Sequence, residues 1–248
     1  MSGHSKWSQI KHKKAKMDAQ KGRLFTKLIR EIMVAARQGG GNPDANPRLR
    51  SAIQAAKEAN MPWDNIERAI KKGTGELPGT HYEEATFEGY GPGGVAIMVR
   101  VLTDNKNRTS GEIRHIFTKY GGHLGGSGCV AWQFHQKGII QVEKNRVDGE
   151  VLFELALELG AEDMKEEEDI YTIITSPEDF LHIKEALTEK GVPISYSALT
   201  MIPDTLVKLE GRKAEQVLEL VNTLDEHPDV QDVYANFDIP EEIMTKVS

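Results

Sequence analysis

Cysteine is almost absent. The one cysteine of this 248-residue chain, Cys129, excludes an internal disulfide and a cysteine-based zinc cage. Long apolar runs are absent too. None approaches the ~20 residues that span a bilayer, which excludes an integral helical membrane protein. No charged-then-apolar leader stands at the N-terminus and residue 2 is Ser rather than Gly, so neither classical secretion nor N-myristoylation is expected. A cytoplasmic location fits all three observations. Catalytic signatures are also missing. No Gly-Lys-Ser/Thr follows a glycine-rich loop, so there is no P-loop. Gly121-Gly-His-Leu-Gly-Gly-Ser-Gly128 is not a dinucleotide fingerprint following a strand, and reads as a flexible loop after a helix. Ser127 is not in a nucleophile elbow, because Cys129 takes the place of the last glycine. His115, His123, Cys129 and His135 are spaced by eight, six and six residues, without the tight ligand pairs of a zinc site. The acidic stretch Glu162–Asp169 lacks the glycine and alternating ligands of a calcium loop and reads as a solvated hairpin tip. The expectation is a protein that is not an enzyme, with no catalytic residue, metal, cofactor or small-molecule substrate.

What is present is ordinary in amount and unusual in placement. The chain is 39% hydrophobic and 28% charged, which is enough for real cores. Its formal net charge of −7 argues against nucleic acid until the chain is divided. Residues 1–72 hold 16 Lys+Arg against 6 Asp+Glu, whereas residues 73–248 hold 15 against 32. Within residues 1–30, Lys6, Lys11, Lys13, Lys14, Lys16, Lys21, Arg23, Lys27 and Arg30 face one acid, Asp18. A basic arm on an acidic body fits a polyanionic partner, because each neutralised phosphate releases counterions. A solvated tail that only aids solubility has no reason to concentrate one sign so strongly.

Organisation follows from periodicity. Basic residues would surround a helix over 6–22, and such a helix is not stable alone, so the arm is expected to order on its partner. From Leu24 a helical stripe of Phe25, Leu28, Ile29, Ile32, Met33 and Ala36 runs to Gly39-Gly40-Gly41. Asn46-Pro47 is a cap followed by proline at the first helical position, and Pro62 opens a third helix stopped by Gly73. Trp63, beside Pro62 and Ile66, reads as a packing residue. Next come strands near 82–88 and 95–102, a helix through Ile113 and Phe117, and a strand near 130–134. Residues 138–202 then read β-α-β-β-α-β, a split βαβ or ferredoxin-like unit. Asp148 caps its first helix and Ser176-Pro177-Glu178-Asp179 starts its second. A helix through Val217–Leu224 and a strand through Val233–Phe237 follow.

The fold class is therefore α+β: an N-terminal three-helix domain and two α/β domains, at least one ferredoxin-like. The expected divisions are 1–75 for the arm and helical domain, 80–136 with 204–240 for a discontinuous α/β domain, and 137–203 for an inserted ferredoxin-like domain.

Several strings are specific. Met1-Ser-Gly-His-Ser-Lys-Trp-Ser-Gln-Ile-Lys-His-Lys-Lys14, Gly22-Arg-Leu-Phe-Thr-Lys-Leu-Ile-Arg-Glu-Ile32 and Gly40-Gly-Asn-Pro-Asp-Ala-Asn-Pro-Arg-Leu-Arg50 closely resemble the YebC/PmpR family. So do Asn60-Met-Pro62, Glu88-Gly-Tyr-Gly-Pro-Gly-Gly94 and Asp104-Asn-Lys-Asn-Arg-Thr109. The resemblance covers nearly the whole chain. It implies three domains, the helical one N-terminal, and a cytosolic, non-catalytic regulator of gene expression. The family includes probable DNA-binding transcriptional regulators, ribosome-associated factors that relieve stalling at sequences such as proline runs, and mitochondrial translational activators of cytochrome oxidase.

The expected partner is thus nucleic acid, either DNA or ribosomal RNA, with the transcription machinery or the ribosome beyond it. Lys6, Lys11, Lys13, Lys14, Lys16, Lys21, Arg23, Lys27 and Arg30 are the expected phosphate contacts, and Trp7 and His12 the expected base contacts. Trp7 alternatively docks back onto the helical domain. Two rival readings are an enzyme using the Gly121–Gly128 loop as a phosphate site and a protein adaptor using the acidic body.

Overall fold

The computed structural model describes residues 18–167 and 169–247. Helix α1 (Asp18–Gly39), α2 (Pro47–Glu58) and α3 (Trp63–Thr74) form an N-terminal layer. Its core is Ile32, Met33, Ala36, Leu49, Ile53, Ala56, Met61, Ile66 and Ala69. One side chain joins two of these helices. Asn46 Oδ1 accepts the Leu49 amide at 3.0 Å, capping α2, while its Nδ2 donates to the carbonyls of Ala35 at 2.8 Å and Gly40 at 2.9 Å at the end of α1. Gly73 does not stop α3. It lies inside the helix, where a Cβ would sit 2.5 Å from the Met33 carbonyl oxygen, so glycine here permits α1 and α3 to approach. The left-handed cap is Gly75, at φ 87°.

The body holds two four-stranded antiparallel sheets. The first is built from β1 (Glu83–Tyr90), β2 (Ala96–Thr103), β3 (His123–Leu124) and, from far along the chain, β9 (Val230–Ala235), in the order β3-β1-β2-β9. Helices α4 (Lys106–Lys119) and α7 (Gly211–Glu226) belong to its core, which includes Ile97, Val99, Val101, Phe117, Val217, Val221 and Phe237. The short parallel pair β8 (Val207–Lys208) and β10 (Phe237–Asp238) and helix α8 (Glu241–Val247) complete this part.

The second sheet comes from β4 (Phe134–Glu143), β5 (Asp163–Glu166), β6 (Ile170–Thr175) and β7 (Ile194–Pro203), with α5 (Gly149–Glu158) and α6 (Phe180–Glu189) between strands. Its order β5-β6-β4-β7 with β-α-β-β-α-β connectivity is the ferredoxin-like arrangement. Asp148 caps α5 as its sequence implies, accepting the Glu150 and Val151 amides at 3.0 and 3.1 Å. Ser176 accepts the Asp179 amide at 3.0 Å, but residues 177–179 stay in a turn and α6 begins at Phe180.

Two further local readings differ from the structure. The strand expected near 130–134 begins only at Phe134. Ala131–Gln133 is a 3₁₀ turn and β4 runs unbroken from Phe134, because its pairing with β7 extends from Phe134↔Pro203 to Val142↔Ile194. Trp63 is 53% exposed rather than packed, with the Lys57 ammonium 5.6 Å from its ring centroid.

Candidate nucleic-acid interface

The basic side of α1 meets the acidic end of α7 and the loop that follows it. Arg23 Nη1 lies 3.3 Å from Glu226 Oε1, both well exposed. Lys27 Nζ donates to Asp225 Oδ1 at 3.0 Å and to the Asp225 carbonyl at 3.1 Å. Arg30, whose side chain is only 14% exposed, donates to Asp229 Oδ1 at 2.9 Å and to the carbonyls of Pro228 at 2.7 Å and Leu102 at 3.3 Å. The Tyr82 ring lies beneath the Arg30 guanidinium at 4.9 Å. One helical face, at residues 23, 27 and 30, thus carries three successive cations into a row of carboxylates.

Asp229 is the centre of this seam. Its side chain is 5% exposed. Besides Arg30 it accepts from Thr109 Oγ1 at 2.7 Å, from Thr103 Oγ1 at 3.2 Å and from Arg108. Burial pushes the Asp229 carboxyl up, but the Thr109, Arg108 and Arg30 donors more than offset it and hold it below the ordinary aspartate range. The string Asp104–Thr109 therefore supplies Arg108 and Thr109 to a buried carboxylate. Beside it a cleft of about 740 Å³ is lined by Arg30, Asp104, Arg108, Glu112, His115 and His227. Glu112, His227 and Asp229 bring three potential ligand atoms within 4.8 Å. Those atoms already face protein groups: His227 Nδ1 accepts the Asp229 amide at 3.2 Å, and Nε2 lies 2.9 Å from Glu112. With two arginines also on Asp229, the donor set is that of a charge network rather than of a cation site.

A second network continues the seam. Arg48 bridges Glu31 at 2.7 Å and Glu84 at 2.9 Å, and Arg100 bridges Glu31 at 2.9 Å, Glu84 at 3.1 Å and Asp232 at 2.7 Å. Burial disfavours the Arg100 charge, but Asp232 and Glu31 outweigh it and raise its pKa. Burial likewise pushes Glu31 up, and Arg48 and Arg100 bring it below its usual range. Lys184 reaches Glu58 at 3.2 Å, tying the ferredoxin-like unit to α2.

Of the residues expected to touch nucleic acid, Lys6, Trp7, Lys11, His12, Lys13, Lys14 and Lys16 lie outside the described residues, as does the side chain of Lys21. The structure brings Arg23, Lys27 and Arg30 together against the body, Arg23 well exposed and Arg30 largely buried. Arg48 and Lys71 of the helical layer are paired with carboxylates, but four other cations have no carboxylate partner among the described residues. Arg37 and Arg68 are exposed, Lys72 is half-buried, and Arg50 contacts only the Pro43 and Asp44 carbonyls, at 3.3 and 3.4 Å. The glycine-rich loop is not slack. The Glu88 carboxylate, 5% exposed, accepts the amides of Gly128 at 2.7 Å, Val130 at 2.8 Å and Ala131 at 2.8 Å. Burial raises the Glu88 carboxyl, but these three amides outweigh it and leave it below its ordinary range. Sequence reading missed both buried acids; for Glu88 the available signal was an acid opening a glycine-rich stretch, and for Asp229 there was none.

Comparison with known proteins agrees with this architecture. Residues 5–76 match the model of the TACO1/YebC protein N-terminal domain, and residues 82–237 that of the TACO1/YebC second and third domain. A probable transcriptional regulatory protein of Dictyoglomus turgidum is 58% identical over 249 residues, covering all of both chains. One from Aquifex aeolicus is 57% identical over 248 residues, again covering all of both. The crystal structure of a conserved hypothetical protein from Aquifex aeolicus superposes with a TM-score of 0.81 at 56% identity, over 92% of this chain and 95% of that one.

Proposed function

Because this chain belongs to the TACO1/YebC family, whose curated relatives carry the name probable transcriptional regulatory protein, we propose that it is a non-catalytic, nucleic-acid-binding regulator of gene expression acting in the cytoplasm. One observation carries this reading: residues 1–17 contain five lysines and no acid, ahead of a layer whose remaining cations are partly unpaired. Lys6, Lys11, Lys13, Lys14, Lys16 and Lys21 contact phosphates, and Trp7 and His12 contact bases. Arg23, Lys27 and Arg30 extend the same positive stripe, but they reach a phosphate only by exchanging Glu226, Asp225 and Asp229 for it. The acidic body repels polyanions elsewhere and so orients the basic end.

Ribosomal RNA is the alternative target, and one observation favours it. Lys27 and Arg30 pin α1 against the body, so α1 does not enter a major groove as a free recognition helix. Shape recognition of structured RNA makes no such demand. The test is crosslinking in cells followed by sequencing of the attached nucleic acid, with a companion chain in which the five arm lysines are glutamine. Promoter DNA adducts support transcriptional control, and ribosomal RNA adducts support the alternative. Equal crosslinking by the glutamine variant overturns the arm as the contact.

A further inference from the structure

Three aromatic side chains gather around the glycine-rich loop, Tyr90 and His123 ring to ring and Trp132 and Tyr90 on one shared carbonyl oxygen. Trp132, on the 3₁₀ turn, is 69% exposed, more than any other large hydrophobic residue among those described. Its indole Nε1 donates to the Cys129 carbonyl at 3.2 Å. The Tyr90 hydroxyl donates to the same oxygen at 2.9 Å. The His123 ring lies 5.6 Å from the Tyr90 ring, tilted by 32°, and β3 sets the two residues opposite each other in the sheet. The buried Glu88 fixes the backbone beneath them through three amides, and Gly125 donates to the Glu88 carbonyl at 2.8 Å.

The geometry points to a platform that stacks an unpaired nucleobase of single-stranded nucleic acid on Trp132, flanked by Tyr90 and His123. This deepens the proposed function and rests on it. The indole has its one donor occupied within the protein, so what it offers a ligand is its flat face. A base offers the same to it, and every base has such a face. The rim permits a sugar-phosphate chain to come close: nothing lies within 4 Å of where a Cβ would stand on Gly126 or Gly128. The local charge permits it too. Residues 73–136, the segment that carries all three rings, hold 5 Lys+Arg against 6 Asp+Glu. Helix α4, which leads into the loop, carries Arg114, exposed and without an acidic partner among the described residues. Bases in a duplex are already stacked on each other, so the platform selects unpaired strands.

The test uses the full chain with Trp7→Phe and Trp63→Phe, leaving Trp132 as the only indole. It is titrated with single-stranded RNA, single-stranded DNA, duplex DNA and an abasic strand of equal length. Quenching by single strands, and none by the abasic strand or duplex, is expected; the stronger of the RNA and DNA arms identifies the source of the base. Trp132→Ala in the otherwise unaltered chain weakens single-strand binding roughly tenfold, Trp132→Phe largely restores it, and both keep the parental melting temperature. Unmoved Trp132 fluorescence, or Trp132→Ala binding like the parent, overturns the platform. If the arm-lysine variant still loses binding in that case, the proposed function stands without the platform. If the parent binds none of the nucleic acids, both fall.

Discussion

Replacing Asp229 by Asn tests whether the seam between helical layer and body is held by a buried charge. The substitution keeps the shape of the side chain and removes its negative charge. Arg30, 14% exposed, then lacks its counter-ion but keeps the carbonyls of Pro228 and Leu102. Removing one member of a buried ion pair costs about 3–5 kcal/mol, and the two remaining acceptors place this case near the lower end, about 3 kcal/mol. Arg108 is solvent-accessible and is left out of that figure. For a chain of this size each kcal/mol lowers the melting temperature by about 2–4 °C, so a drop of about 6–12 °C is expected at neutral pH. The pH dependence has a definite sign. Asp229 titrates lower in the folded protein than unfolded, so its contribution is complete above the ordinary aspartate range and disappears as pH falls through the lowered folded value. Parent and Asp229→Asn melting curves therefore converge on acidification. Calorimetry at several pH values reads both effects. A neutral-pH difference within about 1 °C, or one that stays constant into strong acid, would refute the reasoning.

Three further outcomes follow from other contacts. Gly73→Ala places a Cβ 2.5 Å from the Met33 carbonyl oxygen and 2.8 Å from the Ala36 Cβ, so it destabilises the helical layer by about 1–3 kcal/mol in a urea titration followed by circular dichroism. Glu88→Gln keeps one acceptor where the carboxylate serves three amides, and costs about 1–3 kcal/mol; faster hydrogen exchange at Gly128, Val130 and Ala131 is the readout, and unchanged protection contradicts it. The ferredoxin-like unit has its own sheet and core, so limited proteolysis is expected to yield a resistant fragment near 137–203, while release of 80–135 as a stable piece without 205–238 would contradict the shared first sheet.

The sequence made some of this legible and not the rest, for physical reasons. Caps and periodicity are local. Asn46-Pro47, Asp148 and the alternation through Ile194–Ala198 each declare an element within a few residues, and the β-α-β-β-α-β order follows from them. Strands β3, β8 and β10 have two residues each, too few for any period to show. Gly73 carries the composition of a helix stop, but the need it serves is a neighbouring helix in contact, which only the fold reveals. Asp229 has no motif at all. Its partners Arg30 and Arg108 lie 199 and 121 residues away, so nothing nearby in sequence marks it as the centre of a network.

That separation also bears on how the positive charge of the N-terminal region acts. Charge arithmetic counts the sign of a side chain and not what it faces. A cation already beside a carboxylate releases few counterions on meeting a phosphate, so it adds little to the salt dependence of binding unless the carboxylate is displaced. Six arm lysines through Lys21 would give a slope of log affinity against log salt of about −5 on duplex DNA. Adding Arg23, Lys27 and Arg30 would bring it to about −8. The measured slope therefore separates two molecules. A slope near the smaller value means that the seam stays closed and the arm binds alone. A slope near the larger one means that nucleic acid takes α1 away from Asp225, Glu226 and Asp229, and in that case Asp229→Asn tightens binding at the same time as it lowers the melting temperature.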